Sequence, residues 1–487
     1  MSISQLEARL QELEQHALLL EPDASHRFPM QQAVERYAQH FLEALPEAPA
    51  FVPRSETHDS LAPFAIPEQP KPIAETLQVL QHQVDTPGIN SASGGHLGYI
   101  PGGGLYYAGL GDYLAAVANK YAGIFYSAPG AVKMENLLLR WMAETIGFPA
   151  EAAGNLTSGG SIASLIALAT ARDAKQITSR LVPEAVVYLT SHTHHCLNKA
   201  LRIAGLGECP IRLVPMDDRY RMQPQALRAV IEQDKAAGLT PWLLVASAGT
   251  TDVGAVDPLP ELAAVAQQHQ LWFHVDAAYG GFFALAPSGK EILRGIEQAD
   301  SVVMDPHKGL FIPYGSGAVL IKDREQLAKT HYYSANYMQD ALAADQEYSP
   351  ADLSPELSKH FRGLRLWLPL QLHGVAAFRS ALEEKLLLAQ YAYAKLQELT
   401  GFETPAAPAL SVVIFRYLPA AGADANAFNQ RLVQAVQQDG RVFLSSTKLG
   451  DDFMLRFAIL SFRTHKATID LALEILQEKV RELQTQR

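Results

Sequence analysis

"WLLVASAGTTDVGAVDPLPELAAVAQQHQLWFHVDAAYGG", residues 242–281, has the pattern of a strand, a helix and a second strand. An unbroken apolar run opens it, "PLPELAAVAQQHQ" has helical spacing, and the β-rich run "LWFHVDAA" follows. Strands apolar on both faces and joined through helices belong to a mostly parallel sheet covered on both sides. Similar runs begin at Ala185 ("AVVYLT"), Ile211 ("IRLVPM") and Ser301 ("SVVMD"), with "QPQALRAVIEQDKAAG" among the helical segments between them. Their spacing is roughly 30 residues, the length of a strand–helix–strand unit. The spacing is structural, because the sequence itself does not repeat.

Outward from this centre the pattern changes twice. Residues 1–85 hold helical segments and Pro-rich joints, "EALPEAPAFVPRSE" and "IPEQPKP", with too few long apolar runs for a core of their own. They are expected to form a helical arm that docks on another surface, such as a second subunit. Residues 86–375 hold the strand–helix series and form the large domain. From residue 376 a long helix ("AAFRSALEEKLLLAQYAYAKLQEL") precedes "SVVIFRYL", a helix at 423–438, the strands "RVFLSS" and "FMLRFAIL", and a terminal helix. That order predicts a small α+β domain over 376–487. The expected fold class is α/β.

Composition narrows the function. The chain has 487 residues, 48% hydrophobic and 19% charged, as an ordinary globular protein does. A net charge of −11 argues against nucleic acid as a partner. The two cysteines, Cys196 and Cys209, exclude a disulfide scaffold and a cysteine-rich metal site, and no metal is expected. The amino-terminal "MSISQLEARLQELEQHALLLEPD" is an acidic amphipathic helix pattern without the features of a signal peptide. The least charged stretch, 98–132, is broken by Pro101, Asp112, Lys120 and Pro129, so it makes a buried glycine-rich wall rather than a membrane span. A cytoplasmic protein with no membrane partner is expected.

In open α/β sheets, ligands sit beyond the carboxyl ends of the strands. Asp276 in "HVDAAYGG", Lys308 after "SVVMDPH" and Thr250 in "ASAGTT" all fall there. "TSGGSIASLIALATARDA", residues 157–174, adds a glycine turn running into a helix, where Gly160 and Ser161 would present backbone N–H groups to a phosphate. Such a set suits a ligand with a phosphate, a basic ring nitrogen and an electrophilic carbon. Pyridoxal 5'-phosphate has all three. Lys308 would form a Schiff base with its aldehyde, burial lowering the lysine pKa to free the amine. Asp276 would keep the ring nitrogen protonated.

The segments "HVDAAYGG", "DPHKG", "SGGSIASL", "AGTTDVGAVDP" and "HHCLNKA" together resemble the pyridoxal-phosphate-dependent amino-acid decarboxylases, the group with the aromatic-amino-acid, histidine and glutamate enzymes. The likeness runs from roughly residue 70 to the end and implies the aminotransferase-like fold of such enzymes (fold type I). It implies that His194 stacks on the cofactor ring, with Ala278 under the other face. His307 and Ser161 match phosphate-site positions, and Thr250 a position near the ring hydroxyl. Cys196 stands where the family often has serine. Tyr337, in "HYYSANYMQD", matches the mobile-loop tyrosine that protonates the substrate carbon, with Tyr332 and Tyr333 as alternative registers. "HLGYIPGGGLYY" and "YAGIFYSAPG" match substrate-pocket segments, which makes Tyr99, Tyr121 and Phe125 candidates to contact an amino-acid side chain. The family shares its active sites between two subunits, so a homodimer is implied.

The function implied is decarboxylation of an L-amino acid to its amine and carbon dioxide. Aminotransferases and lyases of the same fold share the aspartate and lysine, and some relatives oxidise their substrates to aldehydes. A loop tyrosine favours the amine-forming branch. A non-catalytic binding protein is the remaining alternative. Which amino acid is taken stays open.

Overall fold

The large sheet grows from seven short strands, β1 (Ala153–Thr157), β2 (Ala185–Leu189), β3 (Ile211–Leu213), β4 (Thr240–Ser247), β5 (Trp272–Asp276), β6 (Ser301–Met304) and β7 (Gly317–Ile321). They are seen in a computed structural model that describes residues 1–54, 60–332, 348–420 and 423–485. Their order across the sheet is β1-β7-β6-β5-β4-β2-β3. The pairs β6–β5, β5–β4, β4–β2 and β2–β3 are parallel, whereas β7 runs antiparallel to both its neighbours.

The unbroken apolar runs follow from burial on both faces. In β5, Phe273 and Val275 join the core on one side of the sheet while Trp272 joins the core on the other. In β6, Val302 and Val303 divide in the same way. The helix Gly160–Ala174 returns after β1 and sends Ala163, Ile166, Ala167 and Ala171 into the second of these cores.

A separate core lies under a second sheet built from Phe402–Glu403, Val412–Tyr417, Phe443–Leu449 and Asp452–Ala458. The helices Ala425–Asp439 and Lys466–Thr485 pack on that core through Leu432, Val436, Ile469 and Leu476. The sheet also takes in a strand from far upstream, since His96–Leu97 pairs in parallel with Phe443–Leu444.

At the amino end the helices Ile3–Ala17 and Ala24–Ala44 bury no residue. Leu6, Leu10, Leu13, Phe28, Met30 and Val34 all lie exposed along them.

Candidate active site

Five strand ends converge on one cavity of about 270 Å³. Because β1, β2, β4, β5 and β6 all point the same way, the segments that follow them meet at one edge of the sheet. Gly160, Ser161, His194, Thr250, Asp276, Ala278, His307 and Lys308 all line it. Tyr99, Tyr121 and Phe125 do not. Tyr99 is exposed with a left-handed backbone, φ +54, and its ring leans on Phe443. Tyr121 is exposed, and the Phe125 backbone N–H donates to Ser349 Oγ at 2.9 Å. Tyr337 lies outside the described residues, as does Tyr333. Tyr332 ends the helix Arg324–His331 with its side chain exposed.

The glycine turn after β1 is shaped by what lies beneath it. A Cβ on Gly160 would come within 3.0 Å of Asp305 Oδ2 and 3.5 Å of the Ala278 methyl, and one on Gly159 within 3.3 Å of the His307 ring. Gly317 in β7 presses from the far side, where a Cβ would meet Gly159 backbone atoms at 2.6 Å. Only bare backbone fits, and it brings the first N–H groups of the helix Gly160–Ala174 to the cavity. Such groups have no partner within their own helix and suit an anion.

Asp276 ends β5, and its Oδ1 accepts from the Ala278 backbone N–H at 3.1 Å. That bond holds the carboxylate at the cavity edge, 9% exposed. His194 is fixed by its neighbour, because the Cys196 backbone N–H donates to its Nδ1 at 3.3 Å. Burial pushes the His194 pKa below its ordinary value, with Asp276 opposing. The Cys196 thiol, pushed up to about 12 by burial, stays protonated and lies 3.8 Å from Ser164 Oγ.

Lys308 departs from the expected ionisation. Burial does favour its neutral amine, but the carboxylates of Asp305 and Asp276 outweigh burial and raise its pKa above the ordinary lysine value. Asp305 Oδ2 is 3.0 Å from Lys308 Nζ. Pro306 opens the single helical turn Pro306–Gly309, and a spacing of three residues across that turn puts the two side chains on one side. Burial pushes the His307 pKa below its ordinary value, with Asp305 opposing, and its Nδ1 lies 2.5 Å from the Ser316 carbonyl oxygen, to which it donates. Asp305 was not among the expected site residues, although its spacing to Lys308 was visible in the sequence. His192 lines the cavity as well as His194, and its ring stacks on Tyr220 at 5.6 Å.

An amine, a buried carboxylate at the cavity edge and a backbone anion cradle within one small cavity fit the aldehyde, ring nitrogen and phosphate of pyridoxal phosphate. Among the described residues no group of His, Cys, Asp or Glu is arranged to hold a metal ion, and no helix is long and apolar enough to cross a membrane.

Comparison with known proteins agrees with this fit. The family model described as the pyridoxal-dependent decarboxylase conserved domain matches residues 55–418. An aromatic-L-amino-acid decarboxylase of Bacillus atrophaeus is 34% identical over 421 residues, covering 85% of this chain and 87% of that protein. Tryptophan decarboxylase 2 of Oryza sativa subsp. japonica is 30% identical, covering 86% of each. A solved structure of Oryza sativa TDC with PLP and tryptamine superposes with a TM-score of 0.89 at 25% identity, covering 95% of this chain and 99% of that one.

Proposed function

The chain belongs to the pyridoxal-dependent decarboxylase family, and from that premise we propose how its own residues carry out the decarboxylation of an L-amino acid to the amine. The observation that carries the reading is the convergence of Lys308, Asp276 and the Gly159–Ser161 turn on one cavity.

Pyridoxal phosphate, when bound, supplies an electron sink for the pair left by the broken bond between the α-carbon and the carboxylate. Lys308 would hold the cofactor through its amine and give way to the substrate amine. Asp276 has one oxygen committed to Ala278, and the other, without a hydrogen-bond partner among the described residues, would take the ring nitrogen and retain its proton. His194, kept neutral by burial, offers a flat uncharged face for ring stacking. The N–H groups of Gly160 and Ser161, with His307, would anchor the phosphate. Ala278 leaves room for the ring where a larger side chain would collide. Thr250 would fix the ring hydroxyl edge. Its own hydroxyl already accepts from the Ala255 N–H at 3.0 Å, which orients it. Tyr337 is the proton donor to the substrate α-carbon.

The working unit is a homodimer. Support comes from the two amino-terminal helices without a buried residue. The helix Tyr106–Ala118 adds to it, exposing Tyr106, Leu110, Tyr113, Leu114 and Val117 in a helical stripe. Tyr121 and Phe125, in the segment that the resemblance assigns to the other subunit, would then reach a substrate across the subunit boundary. The names of the relatives favour an aromatic L-amino acid as that substrate. The site is cytoplasmic in this reading, which the two buried free cysteines support.

Borohydride reduction of the purified protein followed by peptide mapping tests the core assignment. The pyridoxyl group should be found on Lys308, and a label on any other lysine overturns it. Amine formation from tryptophan, tyrosine and phenylalanine, set against 2,4-diaminobutyrate and cysteine sulfinate, tests the substrate class. Light scattering that finds an active monomer would remove the dimer.

A further inference from the structure

Asp305 belongs to the cavity but has no part in the chemistry assigned above. Its Oδ2 faces Lys308 Nζ at 3.0 Å and His307 Nε2 at 3.7 Å. Oδ1 is buried and has no hydrogen-bond partner among the described residues. The side chain is only 1% exposed. The cradle glycines close it in, with ideal Cβ positions on Gly160 and Gly317 falling 3.0 Å and 2.7 Å from its oxygens. A carboxylate so deeply placed is expensive to keep ionised without a facing cation. The Lys308 ammonium faces it.

This pairing bears on how the protein acquires its cofactor. An amine attacks an aldehyde through its lone pair, so a lysine held as an ammonium is inert until it gives up a proton. We propose that Asp305 is a positioning residue that holds Lys308 as an ammonium in the cofactor-free protein and takes its proton when the aldehyde arrives. The ammonium passes one proton to the carboxylate, leaving a neutral amine and a carboxylic acid. Nζ then bonds to the aldehyde carbon. The two remaining amine protons leave with the carbonyl oxygen as water, and a carbon–nitrogen double bond replaces the carbon–oxygen one. No oxidant or reductant is needed. The proton arrives on Oδ2, the oxygen that faces Nζ.

The other groups around Lys308 do not take over this role. Asp276 also favours the ammonium, but among the described residues only Asp305 lies within ion-pair distance of Nζ, and the second Asp276 oxygen is the one assigned to the ring nitrogen. Cys196 is held as a thiol by burial, and burial likewise lowers the pKa of both His194 and His307. Asp305 is the nearer and more deeply shielded of the two carboxylates, and its removal should change the amine's reactivity most.

The proposal rests on Lys308 being the cofactor-bearing lysine, which borohydride mapping decides separately. Its own test needs no cofactor. Cofactor-free full-length protein is treated with trace acetic anhydride from neutral to strongly alkaline pH, and acetylation of Lys308 is scored by peptide mass spectrometry. In the parent, Lys308 should titrate above the ordinary lysine value of about 10.4. The isosteric Asp305→Asn should move the curve down by about one unit, so that Lys308 labels about tenfold faster at a given pH below the midpoint. A parental Lys308 that titrates at or below the ordinary value overturns the proposal, even if Asp305→Asn does not fold. An unchanged or upward-shifted curve in a folded Asp305→Asn overturns it as well.

Discussion

Lys359 Nζ donates to Glu135 Oε2 at 2.9 Å, with both side chains shielded from solvent. The same ammonium also donates to Asn155 Oδ1 at 3.0 Å and to the Leu156 carbonyl at 3.2 Å, so all three of its protons are used. Glu135 Oε1 accepts the Gly363 N–H at 3.0 Å. One ion pair thus ties the helix Pro129–Thr145, strand β1 and the start of the helix Gly363–His373 together.

Removing one partner of such a pair strands the other charge in the interior, at about 3–5 kcal/mol. Lys359→Met should therefore lower the urea midpoint strongly, with little change in its slope. The double variant Lys359→Met, Glu135→Leu should recover much of the loss. A single variant with the parental midpoint would show that the pair contributes nothing to stability.

Gly317→Ala tests the cradle. The new methyl meets Gly159 backbone atoms at 2.6 Å, and backbone does not yield as a flexible side chain does. Overpacking of this kind costs about 1–3 kcal/mol. If the strain falls on the turn proposed to grip the phosphate, pyridoxal phosphate affinity should fall about tenfold or more. Equilibrium dialysis of the reconstituted protein measures this, and unchanged affinity would mean the turn tolerates displacement.

Tyr337→Phe should separate bond breaking from product formation. General acid catalysis contributes about 10²–10⁴-fold, so amine output should fall by that order while carbon dioxide release persists. The stranded carbanion should then consume oxygen and release aldehyde, ammonia and peroxide. Parental amine output from Tyr337→Phe alongside a loss in Tyr332→Phe or Tyr333→Phe would move the assignment to one of those residues.

Acid should destabilise the fold through its buried histidines, His96 and His274 foremost. Burial pushes His96 and His274 each down to about 4, whereas in the unfolded chain they protonate near the usual value of about 6.5. Between those values the unfolded chain binds protons that the folded one refuses, so stability falls as pH falls through that window. Asp257, raised to about 6 by burial, works in the opposite sense and favours the folded state in acid. Both ring nitrogens of His96 are unpartnered among the described residues. His96→Leu should therefore match or exceed parental stability near neutrality and show a shallower acid decline of the urea midpoint. A decline as steep as the parent's would assign the sensitivity elsewhere.

Strands β2, β4, β5 and β6 were legible because burial on both sides leaves a continuous apolar signature, whereas the edge strand β3 keeps its apolar residues Ile211 and Leu213 exposed. So were Asp276 and Lys308, since strand ends fix where a following side chain emerges. Strand β1 was not: "AGNLT" is short and polar, and its Asn155 is satisfied by Lys359, a partner far along the chain. The strand His96–Leu97 is two residues long and takes its identity from Phe443–Leu444. The charge on Lys308 was misjudged because burial shows in local sequence, whereas the net effect of two facing carboxylates requires their distances. Tyr99, Tyr121 and Phe125 show the same gap, since a segment match gives no distance from a side chain to the cavity.

Strand β7 also sets the order in which the molecule can be assembled. Thr157, which leads into the glycine turn, pairs with Gly317, so the turn's supporting strand arrives about 160 residues later. During synthesis β1 and its turn wait without their neighbour until that strand leaves the ribosome. Closing so large a loop is a slow entropic search. The ligand cradle should thus mature among the last features of the large sheet, and backbone amides around Gly159 should gain exchange protection in refolding only as those of Val319 and Leu320 do.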